Sequence, residues 1–232
     1  ELAAAFQDAS WDDSVAVVVF TGCGSQAFCT GGDVKEYQHN YTQTPRDYWK
    51  YLGCFKAYIE SILNCSKPVI ARLNGMAVGG GNESQLACDL AVMGEHTYGG
   101  QVGTSVGSVA CGGATQWLPI HVGDRRARGM LFLNQRYPAF SALSMGLVNA
   151  VVPLAELESE TVKWCREMLQ LSPTALRVLK SAFNADTDGL AGIQELAGNA
   201  TALYYMTPEG QEGRNAWLEK RAPDFGKFPR RP

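Results

Sequence analysis

The sequence has no hydrophobic run long enough to cross a bilayer and no excess of basic residues. Its 232 residues carry 20 Lys and Arg against 23 Asp and Glu, which gives a formal net charge of -3. A transmembrane helix needs about 20 consecutive apolar residues, and a nucleic-acid-binding domain usually carries a basic patch or stripe. We therefore predict that neither a membrane nor a nucleic acid is a partner.

Histidines are few and cysteines are scattered. The three histidines, His39, His96 and His121, have no spacing that indicates a shared metal ion or a catalytic pair. The cysteines are odd in number and include no Cys-x-x-Cys pair, so neither a disulfide framework nor a zinc site is indicated. The seven are Cys23, Cys29, Cys54, Cys65, Cys88, Cys111 and Cys165. We expect reduced thiols, a cytoplasmic location and no bound metal.

Strand and helix patterns alternate through the first two thirds of the chain and give way to helices alone. Two apolar runs, Val15–Thr21 and Val69–Leu73, are typical of strands covered on both faces. We predict an α/β fold with a parallel core over residues 1–152 and a helical region with an extended tail over 153–232. Because a helical pattern without an initiator Met already begins at Glu1, we expect a truncated start that lacks a first strand.

The stretch from Lys67 to Asp89 carries the strongest chemical pattern. Its strand enters a turn at Asn74-Gly75, and a glycine triplet, Gly79–Gly81, opens a predicted helix. Glycines there let a ligand reach main-chain N–H groups that have no intrahelical acceptor, at the positive end of the helix dipole. Such a turn can hold an oxygen that carries negative charge. Glu83 follows one turn later and adds a carboxylate.

A second glycine-rich loop, Gly22–Asp33, also follows a buried strand, so the sequence predicts two turns that expose backbone. Between them the segment Val34–Asn64 is rich in aromatic residues, and Pro45 divides a loop from a predicted helix. Aromatic side chains at helical spacing usually fill a core. The alternative is that some of Tyr37 to Tyr51 form the wall of a pocket.

The motifs, in this order, resemble the crotonase (enoyl-CoA hydratase/isomerase) superfamily over nearly the whole chain. The resemblance implies a spiral of ββα units and assembly into a trimer or a hexamer formed as a dimer of trimers, with residues 153–232 as the trimerisation region. It implies a CoA thioester as substrate and no separate cofactor. The matching segments are Ala27-Phe-Cys-Thr-Gly-Gly-Asp33, Lys67-Pro-Val-Ile-Ala71, Gly79-Gly-Gly81, Cys88-Asp89 and Met145-Gly-Leu-Val-Asn149.

The same resemblance assigns roles to particular residues. The backbone N–H groups of Gly32 and Gly80 would form an oxyanion hole that stabilises a thioester enolate. Ala27, Lys35 and Lys220 would contact the CoA, although isolated lysines are more often solvated surface groups.

The C-terminal third is very similar to the 1,4-dihydroxy-2-naphthoyl-CoA synthases. Those synthases carry Ser-Phe-Asp-Gly-Gly where this chain has Ser108-Val-Ala-Cys-Gly112, so Ala110 stands at the catalytic aspartate. Gln101 and Gly103 match residues of the bicarbonate-using synthases, whose Trp falls on Leu131. A methyl group cannot move protons. The similar segments are Glu160–Leu169, Ala191–Thr201, Gly210–Ala216 and Phe228-Pro229.

The core instead resembles the 6-oxocyclohex-1-ene-1-carbonyl-CoA hydrolases, which hydrate a conjugated ring double bond and then hydrolyse a ring carbon–carbon bond. Glu83 also matches the first of two catalytic glutamates of enoyl-CoA hydratases, and the second falls on Gly103. Ring-opening hydrolysis is therefore the leading prediction. A naphthoyl-CoA synthase, a plain hydratase and a non-catalytic binding subunit are the alternatives. The segments that resemble the hydrolases are Lys35-Glu-Tyr37, Gly79-Gly-Gly-Asn-Glu83 and Gly112–Pro119.

Four further residues each have a functional and a structural interpretation. Glu83 is either the catalytic acid and base or only a helix N-terminal acid favoured by the dipole. Ser108 either contacts substrate or caps a turn, and Gln101 either positions water or satisfies a loop. Tyr205 matches a synthase tyrosine that reaches a neighbouring subunit's site, but a tyrosine on an apolar helix usually packs in the core.

Overall fold

Two four-stranded sheets form the centre of the structure, a computed structural model that describes residues 1–185, 201 and 204–229. The first sheet is parallel throughout, and in the second only the last pair of strands is antiparallel. In spatial order the first sheet contains β1 (Val18–Thr21), β3 (Val69–Leu73), β5 (Leu90–Gly94) and β8 (Ala150–Val152). The second contains β2 (Ala27–Cys29), β4 (Met76–Val78), β6 (Tyr98–Gly100) and β7 (Arg136–Pro138).

The first six strands alternate between the two sheets, and a helix follows each of the three pairs that they form. β1 and β2 are followed by α2 and α3, β3 and β4 by α4, and β5 and β6 by α5 and α6. This spiral of ββα units confirms the predicted fold class. In chain order the helices are α1 (Leu2–Trp11), α2 (Val34–Glu36), α3 (Pro45–Leu63), α4 (Gly80–Leu86), α5 (Ala114–Val122), α6 (Asp124–Phe132), α7 (Ala139–Ser144), α8 (Leu157–Met168), α9 (Pro173–Ala185) and α10 (Pro208–Leu218).

Four shorter helical segments complete the described chain. A π-helical turn covers Tyr37–Tyr41, and 3₁₀ turns cover Gly103–Val106, Leu154–Glu156 and Phe225–Lys227. Local capping explains where two of the longer helices begin. The Thr44 and Thr207 hydroxyls cap α3 and α10, and each is followed by a proline at the first helical position.

The position of β3 explains why its sequence is apolar at every residue except Arg72, which pairs with Glu158 of α8 at 2.9 Å. Val69, Ala71 and Leu73 pack into the core between the sheets and helices α3, α5 and α6, whereas Ile70 faces the other way and packs with Leu157 of α8. Both faces of the strand are buried, so alternation with polar residues is absent. The central position of β3 holds its C-terminal end in place. From that end the chain runs through the Asn74-Gly75 turn and β4 to the glycine triplet.

Several predicted boundaries differ from the structure. The loop Gly22–Asp33 contains β2, and β4 was not predicted, because a three-residue strand is too short to show a periodic pattern. Within the predicted helical region and extended tail, residues 186–200, 202–203 and 230–232 lie outside the described residues. After β8 the described elements are helical. In the ranges that the structure describes, none of the helices is long and apolar enough for a membrane span.

Candidate active site

The turn between β4 and α4 presents the N–H of Gly80. Gly79 has φ 57° and ψ −127°, a conformation that is essentially restricted to glycine. Three hydrogen bonds hold its peptide groups: Gly79 N–H donates to the Gly100 carbonyl at 3.1 Å, and the Gly79 carbonyl accepts from Glu83 N at 3.1 Å and Gln101 Nε2 at 3.2 Å. Within the described chain, the Gly80 N–H has no acceptor.

The turn after β2 is built in the same way and lies against the first. Gly31 has φ 91°, and a Cβ added to it would lie 3.2 Å from Gly80 N. The next N–H, that of Gly32, finds no acceptor among the residues described. Asp33 then caps α2 by accepting from Lys35 N at 2.8 Å. In both turns a glycine with positive φ thus precedes an unpaired N–H.

Glu83 is a buried carboxylate on α4 with only 4% of its surface exposed. Its Oε1 accepts hydrogen bonds from Gly112 N at 2.7 Å and Ala114 N at 3.3 Å. Burial raises the pKa of Glu83 to about 7, and these backbone hydrogen bonds oppose the rise. Near neutral pH both protonation states are therefore populated, which suits a group that takes up and returns a proton.

Two adjoining cavities meet at these residues. The outer cleft has a volume of about 630 Å³ and includes Lys35, Arg214 and Trp217 in its wall. The inner chamber, of about 60 Å³, is lined by Glu83. The residues common to both cavities form what we call the mouth: Gly32, Tyr37, Gly79, Gly80, Gly103 and Ser108. The other residues that line the chamber are Tyr48, Tyr51, Phe55, Gln101, Val109, Ala110 and Cys111.

The structure brings most of the predicted site residues to these cavities. Those that line the chamber or the cleft are Glu83, Gly32, Gly80, Ser108, Gln101, Tyr205 and Lys35. Gln101 is 2% exposed, lines the chamber and donates from its Nε2 to the Gly79 carbonyl. Tyr205 lies beside Ser108 at the cleft of its own chain, where its ring packs 4.8 Å from that of Tyr48.

Two predicted CoA contacts are not at either cavity. Ala27 lies within β2, where it pairs with Met76. Lys220 is exposed after the end of α10, in a left-handed conformation with φ 56°, and its N–H donates to the Trp217 carbonyl. The cleft thus holds Lys35 but not the other lysine, and Lys220 is a structural terminator of the helix in this arrangement.

Glu83 is the one carboxylate among the described residues that line the chamber, and the two positions at which the sequence resemblance places acids, Ala110 and Gly103, carry none. Ala110 contributes a methyl group to the wall. Gly103 lies close to the Ser108 loop, and a Cβ on Gly103 would be 3.1 Å from the Ser108 carbonyl oxygen. Gly112 is similarly confined, since a Cβ there would overlap with the Phe55 ring and lie 2.9 Å from Glu83 Oε2.

Sequence reasoning missed Arg214 and left the tyrosines undecided. Arg214 lines the cleft, and its Nη1 donates to the Thr42 hydroxyl at 2.7 Å, which ties α10 to the π-helical turn. The one available signal was that Arg214 lies in a segment quoted for the synthase similarity. Tyr37, Tyr48 and Tyr51 do line the chamber, so the pocket-wall alternative describes their position.

Metal-ligating side chains do not gather at this site. Over the described ranges, no group of three or more His, Cys, Asp and Glu residues is arranged to hold a metal ion. His39, His96 and His121 lie outside the walls of both cavities. The reactive side chains of the chamber are the Glu83 carboxylate, the Cys111 thiol and the hydroxyl groups of Ser108 and three tyrosines.

Comparison with known proteins places this geometry in a family. The sequence profile described as enoyl-CoA hydratase/isomerase matches residues 1–228. An enoyl-CoA hydratase from Mycobacterium avium subsp. paratuberculosis K-10 is 29% identical with a TM-score of 0.81, over 97% of this chain and 85% of that one. An enoyl-CoA hydratase subunit I from Geobacillus kaustophilus HTA426 is 31% identical with a TM-score of 0.74, over 97% and 85%.

A third similar structure is an enoyl-CoA hydratase/isomerase from Pseudoalteromonas atlantica T6c, 26% identical with a TM-score of 0.84, over 97% of this chain and 87% of that one. The profile match covers nearly all of the chain, and the two unpaired glycine N–H groups lie where the resemblance had placed an oxyanion hole. The chain therefore belongs to the enoyl-CoA hydratase/isomerase family, the crotonase superfamily of acyl-CoA enzymes.

Proposed function

We propose that this protein adds water to an alicyclic oxo-acyl-CoA of the 6-oxocyclohex-1-ene-1-carbonyl-CoA type and then hydrolyses a ring carbon–carbon bond. The observation that carries the proposal is the composition of the inner chamber. Its one carboxylate, Glu83, has a pKa of about 7 and faces a small space whose mouth holds two unpaired N–H groups. A reaction that runs repeatedly through one enolate needs one oxyanion hole and one proton carrier.

Each of the two cavities holds a different part of the substrate. The CoA arm occupies the outer cleft, where the cationic Lys35 and Arg214 can face its phosphates. The thioester lies at the mouth, with its oxygen between the N–H groups of Gly32 and Gly80. The acyl ring then enters the chamber beside Glu83. Because the chamber is small, this placement favours a compact acyl group over a long chain.

In the first step water adds across the conjugated double bond. Glu83 removes a proton from water as the oxygen attacks the β-carbon, and the electron pair of the double bond moves onto the thioester oxygen. The two N–H groups stabilise this enolate, and each is worth about 3 kcal/mol of barrier, or on the order of a hundredfold in rate. Glu83 then returns the proton to Cα, which completes the hydration.

In the second step a further water attacks the ring ketone, again with Glu83 as the base. The bond between the former ketone carbon and Cα breaks, the ketone carbon becomes a carboxylic acid, and the electron pair regenerates the thioester enolate. Glu83 protonates Cα, and the ring is open. Both steps therefore use the same oxyanion hole, and no second carboxylate is required.

Replacing Glu83 by Gln tests this assignment. The amide keeps the size of the side chain and an oxygen that can accept from Gly112 N, but it cannot exchange protons. We expect Glu83→Gln to lower kcat with 6-oxocyclohex-1-ene-1-carbonyl-CoA by about a hundredfold or more. The matched control is Glu95→Gln, an exposed glutamate outside both cavities, which should retain wild-type turnover. Turnover of Glu83→Gln within a few-fold of wild type would remove Glu83 from the mechanism.

One observation favours a second candidate, the 1,4-dihydroxy-2-naphthoyl-CoA synthase, in which the enolate forms a ring bond. Ser108 and Tyr205, which match synthase active-site residues, lie side by side at the cleft. Ala110 in place of the aspartate weighs against this activity. Formation of the naphthoyl product from o-succinylbenzoyl-CoA would reverse the order of the two candidates. If both thioesters stay unchanged over long incubation, a silent CoA-thioester-binding subunit is the better description.

We also propose that the chain assembles into trimers, alone or paired as hexamers. Several large apolar side chains lie on the surface of α5 and α9 and would be covered by a neighbouring subunit. They are Ile120, Val178, Leu179 and Phe183, which are 54 to 77% exposed. Sedimentation equilibrium measures the state directly, and a monomer at micromolar concentration would contradict this part of the proposal.

A further inference from the structure

Tyr37 is the one aromatic residue at the mouth shared by the two cavities. Its hydroxyl oxygen lies against Gly32, so close that a Cβ added to Gly32 would overlap with it. The phenol therefore stands directly beside one of the two glycines whose N–H groups are unpaired. An oxygen bound at those N–H groups would also lie near the Tyr37 hydroxyl.

The Tyr37 hydroxyl forms a hydrogen bond with Tyr51, and their oxygens are 2.6 Å apart. Each phenol carries one proton, and only one of the two protons can lie between the oxygens. The other has no acceptor among the described residues. Both tyrosines are half-buried and line the chamber, so a ligand bound there can accept that proton. A partly buried donor without a protein acceptor gains a hydrogen bond when a ligand supplies one.

Tyr37 is held by the nearby Thr42, which Arg214 supports, and by aromatic rings from other parts of the chain. The Tyr37 carbonyl accepts from both the N–H and the hydroxyl of Thr42, each at 2.9 Å. Arg214 of α10 holds the Thr42 hydroxyl in turn. The Tyr37 ring makes edge contacts with the rings of Tyr51 and Tyr205, at centroid distances of 5.0 and 6.2 Å. The phenol is thus held in place before any ligand binds.

We infer that the Tyr37 hydroxyl is a third hydrogen-bond donor to the thioester oxygen of a bound acyl-CoA, beside the two glycine N–H groups. In this arrangement Tyr51 donates to Tyr37, and Tyr37 donates to the thioester oxygen. The chain of donors is favoured as the oxygen gains negative charge, because hydrogen bonds to an ionised acceptor are the stronger ones. The inference rests on the proposed binding of a thioester at Gly32 and Gly80.

A vibrational measurement tests this without any turnover. Acetyl-CoA labelled with ¹³C at the thioester carbonyl is bound to the whole protein, and its carbonyl stretch is read by isotope-edited infrared spectroscopy. Hydrogen bonds to the oxygen lower the frequency. We expect a downshift in wild type relative to acetyl-CoA in buffer, and a downshift smaller by about a third in Tyr37→Phe, since one of three donors is lost.

Two further variants complete the series. Tyr51→Phe keeps the Tyr37 proton but removes the group that orients it, so its downshift should lie between those of wild type and Tyr37→Phe. Tyr41→Phe is the matched control, because the Tyr41 hydroxyl donates to Glu36 at 2.8 Å and lines neither cavity. It should leave the wild-type frequency unchanged. Thermal melting of each variant shows that the fold is intact.

The outcomes separate the inference from the proposed function. Equal downshifts in wild type and Tyr37→Phe would overturn the role of Tyr37 and leave the glycine oxyanion hole standing. A wild-type protein that binds acetyl-CoA with no downshift, or does not bind it, would overturn the proposed thioester site and the Tyr37 role together. A graded loss from Tyr41→Phe through Tyr51→Phe to Tyr37→Phe supports both.

Discussion

One side of the mouth is formed by backbone N–H groups and the other by tyrosine side chains. On one side, two tight turns present backbone N–H groups, each after a glycine with positive φ, Gly31 and Gly79. On the other side, the rings of four tyrosines from the π-helical turn, α3 and the residues before α10 pack against one another: Tyr37, Tyr48, Tyr51 and Tyr205. The glycine side depends on local conformation, whereas the tyrosine side depends on packing between segments far apart in sequence. The two should therefore respond differently to substitution.

The largest effect is expected on the glycine side, from Gly79→Ala. Alanine is strained at φ 57° and ψ −127° by roughly 1 to 3 kcal/mol, and any relaxation turns the Gly80 N–H away from the mouth. We expect kcat to fall by about a hundredfold or more and the free energy of unfolding to decrease, as measured by urea denaturation. Gly53→Ala is the control, because it lies in α3 and an added Cβ there meets nothing within 4 Å.

That control should keep full activity and be as stable as wild type or slightly more stable, since alanine favours helix over glycine. If Gly79→Ala behaved like Gly53→Ala, the turn geometry would not be what positions the N–H group. The glycine side would then not depend on local backbone conformation, which is the property that distinguishes it from the tyrosine side.

Glu83 lies where the two sides meet, and its burial predicts a pH dependence of stability. Its pKa is about 7 in the folded protein against an ordinary 4.5, so the folded state holds the proton more tightly. This contribution is fully present below pH 4.5 and is lost as the pH rises through 7. By about pH 8, wild type should have lost on the order of 3 kcal/mol relative to Glu83→Gln. The measurement is the free energy of unfolding of both proteins from pH 4.5 to about pH 8. If the difference between wild type and Glu83→Gln did not change with pH, the burial of an ionisable Glu83 would be contradicted.

The sequence predicted the glycine side much better than the tyrosine side. β3 was predicted with its observed bounds because four of its five residues are apolar, and the triplet after it identified the turn and the Glu83 helix. β2 and β4 were missed because each has three residues. The tyrosines could not be assigned, because aromatic spacing in a helix does not show whether a neighbouring segment leaves a cavity beside it. Arg214 could not be found for the same reason.

On the tyrosine side, a smaller effect should separate substrate contact from packing. Both tyrosines are buried, but Tyr205 lies beside Ser108 at the cleft, whereas the Tyr48 hydroxyl meets the Cys111 thiol. We expect Tyr205→Phe to lower kcat by about tenfold through a lost hydrogen bond to substrate. Tyr48→Phe should instead lower the free energy of unfolding by about 1 kcal/mol with little change in kcat. The reverse pattern would exchange the two roles.

The smallest effect is expected at the outer cleft, where charge is exposed. Lys35→Ala should raise KM for the CoA thioester by a few-fold, because exposed ion pairs contribute about 1 kcal/mol or less. Lys220→Ala should leave KM unchanged, since Lys220 lines neither cavity. Steady-state kinetics at two salt concentrations measures both, and the Lys35 effect should shrink at the higher salt. A larger effect for Lys220 would place the CoA arm elsewhere.

The central claim is that one carboxylate and one oxyanion hole carry out both hydration and carbon–carbon bond hydrolysis. Mass spectrometry of the product formed from 6-oxocyclohex-1-ene-1-carbonyl-CoA in ¹⁸O-labelled water tests it most directly. We predict a ring-opened acyl-CoA that carries two oxygen atoms from water, one in a hydroxyl and one in the new carboxylate. A product that keeps its ring and carries a single labelled oxygen, or unchanged substrate, would contradict the claim.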